Sequence, residues 1–148
     1  SKAYGLAGLR LGYVAGDPRV IDNISKVHTV NDLNSMSILC AMEILKHPEL
    51  ITDYVSDVKQ SGDLLSQSAR DLGLIPISTH TNFMLIRVSN SCDSEVLVKE
   101  LYSQGYLVKG PFDYPCLSGC IRVTLGPPEI MEGFIKALAT SLQISDIS

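Results

Sequence analysis

The chain has 148 residues, close to the roughly 150 of a common domain, so one domain, or one domain plus part of another, is expected. A content of 45% hydrophobic and 19% charged residues excludes the low-hydrophobicity, high-charge range of disordered chains, and the core needs no disulfide or metal staple. A formal net charge of −4 argues against a nucleic-acid surface or a polybasic membrane patch, and no apolar run approaches the roughly 18 residues that span a bilayer.

The opening residues do not form a charged region followed by an apolar one, which reads as no secretory signal. Ser1-Lys2 runs directly into glycine-rich apolar sequence, as a break inside a folded unit would, or a cut or processed chain. The stretch Tyr4–Gly12 reads as a loop packed closely on something, feeding a short strand, Tyr13-Val14-Ala15, that the Gly16-Asp17-Pro18 turn ends. Asp17 as N-cap and Pro18 at the first helical position predict a helix carrying Val20, Ile21, Ile24 and Val27. A polar interval, Thr29 to Ser35, precedes a helix capped by Asn34 or Ser35 and carrying Met36, Ile38, Leu39, Met42, Ile44 and Leu45. Pro48 stops it or starts the next, which runs from Glu49 to Leu72, is weakened at Gly62 and ends at Gly73.

The apolar period then changes from 3.6 to 2. Leu74–Ile77, with its proline, suits an edge strand, and Asn82–Val88 reads as a stronger one. A cap within Ser91–Ser94 opens a helix with Val96, Leu97, Leu101 and Tyr102, stopped at Gly105. Strands at Tyr106–Val108 and Cys120–Leu125 flank a proline- and glycine-containing loop, and Pro127-Pro128-Glu129 opens a closing helix. The expected fold is α/β, one small sheet covered by helices.

Few residues invite chemistry. Cys116 and Cys120 lie four apart, but no second pair and no histidine lies close by, with Cys40, Cys92, His28, His47 and His80 scattered; reduced cysteines in a cytosolic protein without a metal are the reading. Lys2 and Arg10 flank the first glycines. They form either an anion cradle, with a lysine whose pKa a nearby cation depresses, or two solvated surface cations. Arg122 shares a strand face with Cys120 and Thr124, so its guanidinium reaches a ligand carboxylate, a protein carboxylate or water. Lys109 could point toward the same mouth, and Asn82 opens its strand where it bonds a ligand or the adjoining turn.

The stretch from Ser1 through Tyr13, SKAYGLAGLRLGY, resembles the lysine segment of fold-type I pyridoxal-phosphate aminotransferases, particularly the histidinol-phosphate aminotransferase group. Thr81-Asn82-Phe83, then Cys120–Gly126 with Pro128-Glu129, resemble it in the same order. The resemblance implies that residues 1–34 are the tail of the large cofactor-binding domain and 35–148 the small C-terminal domain. It implies pyridoxal 5′-phosphate as cofactor, with Lys2 bonding it covalently and shuttling the proton, and Arg10 with Ser1 binding its phosphate. Arg122 would bind the substrate α-carboxylate, and Asn82 would line the pocket. Lys109 falls where histidinol-phosphate enzymes typically carry an arginine for the substrate phosphate; a lysine is a point charge rather than a fork, which puts a phosphorylated substrate in question. The acidic partner of the pyridine nitrogen lies upstream of the lysine in this family, so the expectation is a homodimeric, cytoplasmic enzyme when full length and an inactive isolated chain. The same residues also suit a decarboxylase of the threonine-phosphate type, and a free-standing, non-catalytic small domain is the alternative of another class.

Overall fold

The structure, a computed structural model, describes residues 4, 6–27, 33–77, 79–88 and 93–145; Ser1, Lys2, His28 and Cys92 lie outside them. Contacts group the chain into two compact units, Ser1–Val55 and Ser56–Ser148. The division falls within a helix and later than residue 34, because the second helix and the first turns of the third group with the glycine-rich opening.

In the first unit a short 3₁₀ turn, Ala7–Leu9, precedes helix α1 (Pro18–Ser25) and helix α2 (Ser35–Ile44). Asp17 caps α1 as expected, its carboxylate accepting from the Arg19 N–H at 2.9 Å. The Arg19 guanidinium also bonds this carboxylate, and it contributes more than the backbone N–H to holding the Asp17 carboxyl below the usual aspartate range. Asn34, rather than Ser35, caps α2, accepting from Ser37 N–H at 2.8 Å. The expected strand at Tyr13–Ala15 does not form. No ladder partner for it lies among the described residues, and Tyr13 and Val14 are exposed.

Helix α3 (Pro48–Asp71) runs unbroken through Gly62. It ends in a left-handed glycine, Gly73 at φ 75°, with Leu74 N–H donating to the Ala69 carbonyl at 2.9 Å and Gly73 N–H to that of Arg70. These bonds satisfy carbonyls that the helix end leaves free. Strands β1 (Ile75–Ile77), β2 (Phe83–Arg87) and β3 (Cys120–Thr124) form an antiparallel sheet in the order β1-β2-β3, with β1 at the edge where its proline is tolerated. Helix α4 (Ser94–Ser103), capped by Asp93, and helix α5 (Pro128–Ser145) complete the unit.

The period of two sorts the sheet residues. Met84, Ile86, Ile121 and Val123 face inward and pack with Leu65 and Ala69 of α3, Leu97 and Leu101 of α4, and Phe134 and Leu138 of α5. The helices therefore bury one face of the sheet and leave the other partly open, with Phe83, Leu85 and Arg122 half-buried, Arg87 and Thr124 exposed and Cys120 buried. The expected strand at Tyr106–Val108 is corrected to a single bridge: Lys109 N–H donates to Arg122 O at 3.1 Å and Arg122 N–H to Lys109 O at 2.7 Å. One exchanged pair of bonds ties the segment to β3 without making it a strand, and Leu107 stands in solvent.

Candidate functional site

The open face of the sheet carries the residues that invite chemistry. Because Arg122 spends its backbone N–H and C=O on Lys109, it meets Leu85 of β2 as a non-hydrogen-bonded pair, the closer of the two antiparallel arrangements. Leu85 and Lys109 thus flank Arg122 on the same face. Phe83 lies one step along β2, opposite Thr124, and the Arg122 guanidinium carbon sits over its ring, 5.2 Å from the centroid. That is within the range of a cation–π attraction. Arg87, on the same face, donates instead to the Cys116 carbonyl at 3.0 Å.

Arg122 is half-buried and Lys109 exposed, and neither enters an ion pair or side-chain hydrogen bond among the described residues. A cation in an apolar neighbourhood without a protein carboxylate has water or a ligand anion as its remaining partners. Asn82 adjoins the group through its backbone, its carbonyl accepting from Leu125 N–H at 2.9 Å. The structure therefore brings Arg122, Lys109 and Asn82 to one region of the sheet.

Arg10 belongs to the other unit. It follows the 3₁₀ turn in the left-handed region, φ 54°, with its N–H donating to the Ala7 carbonyl and its side chain exposed. Ser37 Oγ, buried at the start of α2, donates to the Leu9 carbonyl at 2.8 Å and pins this turn. Ser1 and Lys2 are outside the described residues. An apolar hollow of about 250 Å³ in the same unit is walled by Tyr4, Leu9, Leu11, Tyr13 and Ile44. Among the described residues no charged side chain lines it. Among the described residues no three His, Cys, Asp or Glu side chains gather where they could hold a metal ion, and Cys40, Cys116 and Cys120 are free thiols.

Sequence reasoning did not reach the pairing of Phe83 with Arg122. Both lie in stretches that carried the family resemblance, but their meeting depends on strand register across a long sequence separation.

A profile of aminotransferases of class I and II matches residues 1–138. The chain belongs to that aminotransferase family. It is 30% identical over 140 residues to a histidinol-phosphate aminotransferase of Chlorobium chlorochromatii, the match covering 94% of this chain and 38% of that protein. The crystal structure of a histidinol-phosphate aminotransferase from Sinorhizobium meliloti, in complex with pyridoxal-5′-phosphate, superposes with a TM-score of 0.84 at 26% identity, over 97% of this chain and 39% of that one. An L-threonine-O-3-phosphate decarboxylase from Porphyromonas gingivalis superposes with a TM-score of 0.70, also at 26% identity, over 95% of this chain and 44% of that one. This aminotransferase-family chain thus spans about 38% of the length of the curated relatives it matches. The α/β fold expected from the sequence is the fold of these relatives, and its small sheet is three-stranded and antiparallel. No described helix is long and apolar enough to cross a membrane.

Proposed function

We propose that the chain is the C-terminal part of a pyridoxal-phosphate-dependent aminotransferase that moves an amino group between an amino acid, or an amino-alcohol phosphate, and a 2-oxo acid. The observation that carries this reading is the family match over residues 1–138, with Arg122 on an open sheet face and without a carboxylate partner among the described residues. When bound, the cofactor supplies an electron sink for the bonds of the substrate α-carbon. Its donor set is chemically suited to this chain. An exposed guanidinium at Arg10, on a turn pinned by the Ser37–Leu9 bond, fits a phosphate.

In this reading Lys2 Nζ would hold the cofactor covalently and, once the substrate amine had displaced it, the freed Lys2 amine would take the proton of the substrate α-carbon and return it. Ser1 Oγ and the Arg10 guanidinium bind the cofactor phosphate. Arg122 would take the α-carboxylate through two N–H groups, which orients the bonds of the α-carbon. Asn82 lines the pocket, and Lys109 offers a second, point-like positive charge to the distal part of the substrate. At the level of the family's domains, residues 1–34 are the tail of the large domain and 35–148 the small domain. In the same reading the full-length protein is a cytoplasmic homodimer.

Reduction with borohydride after incubation with pyridoxal phosphate, followed by peptide mapping, tests the assignment. The full-length gene product is expected to carry one label, on Lys2, while the 148-residue chain shows no stable stoichiometric absorbance band. Label spread over other lysines, or a stoichiometric band in the isolated chain, overturns it. The likeness to the decarboxylase structure supports a second reading with the same residues. Carbon dioxide release without amino-group transfer by the full-length product would decide for that one.

A further inference from the structure

We propose that Phe83 is a positioning residue, whose ring holds the Arg122 guanidinium in the place where the substrate carboxylate docks; this rests on the reading of Arg122 as the carboxylate site. A free arginine side chain loses much rotamer freedom on gripping an anion, and a guanidinium already held has lost part of it beforehand. The Phe83 ring is the aromatic face beneath Arg122, 5.2 Å from the guanidinium carbon. A ring face accepts no conventional hydrogen bond, so the contact leaves the guanidinium N–H groups for a carboxylate.

The ring itself has a fixed footing. Phe83 stands beyond the three-residue β1, whose last pair is Ile77 with Leu85, so its carbonyl has no ladder partner on that side among the described residues. A hydroxyl takes that place: Thr79 Oγ1 donates to the Phe83 carbonyl at 2.7 Å, and Thr81 Oγ1, 2.6 Å from Thr79 Oγ1, hydrogen-bonds to that hydroxyl in turn. On its other side Phe83 pairs with Thr124 of β3, the strand that carries Arg122. The platform and the cation therefore sit in the fixed register of one antiparallel strand pair, with Leu85 beside them on the same face.

The test follows the Arg122 Nε–Hε resonance of the 148-residue chain while 2-oxoglutarate, as carboxylate probe, is added at low salt. Wild type is expected to show a saturable shift, with the Arg122 side-chain protons displaced by the ring current of Phe83. Phe83→Leu should weaken the probe about fivefold and abolish that displacement, whereas Phe83→Tyr, which keeps the ring, should stay within about twofold of wild type. Unchanged affinity in Phe83→Leu overturns the positioning role. If Phe83→Leu loses its dispersed amide spectrum, Phe83→Met is measured by the same criterion. A wild-type titration that leaves Arg122 unmoved, or an Arg122→Gln variant that binds as wild type does, overturns the carboxylate reading instead, so the two failures are distinguishable.

Discussion

Arg122 sits in a strand whose alternate residues, Ile121 and Val123, are buried, and its own side chain emerges on the opposite face between Leu85 and Lys109. The segment carrying Lys109 reaches β3 only at that bridge, and the next residue, Gly110, passes close against it. A methyl group at Gly110 would lie 3.1 Å from the Cys120 carbonyl oxygen and 3.3 Å from Ile121 Cγ2, both fixed in the sheet and core. Gly110→Ala is therefore expected to destabilise by about 1–3 kcal/mol, the usual range for overpacking a rigid site. Urea unfolding measures it, and a midpoint equal to wild type would show that the segment yields freely. The sequence marked Arg122 by its apolar neighbours and Lys109 by its place after an apolar run. It could not show that the two exchange backbone bonds, because that depends on how the loop returns to β3. Lys2 and Ser1 carry the sharpest resemblance to the family, and they lie outside the described residues.

Helix α3 shows what element-level patterning can and cannot reveal. Its start near Pro48 and its stop at Gly73 follow from local chemistry, a proline at a first turn and a glycine free to take positive φ. Gly62 reads as a weak point, yet the helix runs through it. A Cβ there would meet only Leu125 Cδ1, at an ordinary 3.5 Å, so tertiary packing and not propensity settles that position. The neighbouring Ser61 was invisible as anything but a polar residue in the helix. It is fully buried, and its Oγ donates to the Gly126 carbonyl at 2.7 Å, fastening α3 to the turn between β3 and α5. Ser61→Ala removes the donor and leaves the partly buried Gly126 carbonyl without that partner, a loss of about 1–3 kcal/mol in urea unfolding. Ser61→Thr, which keeps the hydroxyl, should recover part of it if the site admits the methyl. The same logic explains the two missing strands. Tyr13–Ala15 and Tyr106–Val108 have strand-forming residues, but a strand exists only where a partner's backbone is presented.

The distribution of buried side chains across the molecule separates the two units more sharply than the sequence does. Every buried apolar residue among those described lies between Leu65 and Leu138, whereas Ser37 is the buried residue of the first unit. There Met36, Leu39, Met42 and Leu45 of the α2 region are exposed, at 58–69%, and Tyr13 at 87%. Ordering a residue's backbone costs about 1–2 kcal/mol, and apolar burial is the main offset, so residues 1–55 by themselves have little to hold them. Residues 56–148 have a continuous core between three helices and a sheet. Hydrogen exchange on the 148-residue chain should therefore show amides of Leu65, Ile86, Ile121 and Leu138 protected at least about a hundredfold more than those of Ile21 and Leu39. The relatives that this chain matches are more than twice its length. If the further length of the full gene product covers the apolar side chains of α2, the Leu39 amide should gain protection there while that of Ile121 changes little. Equal protection of the two units in the 148-residue chain would mean that the first unit is held by something other than burial of its own apolar residues.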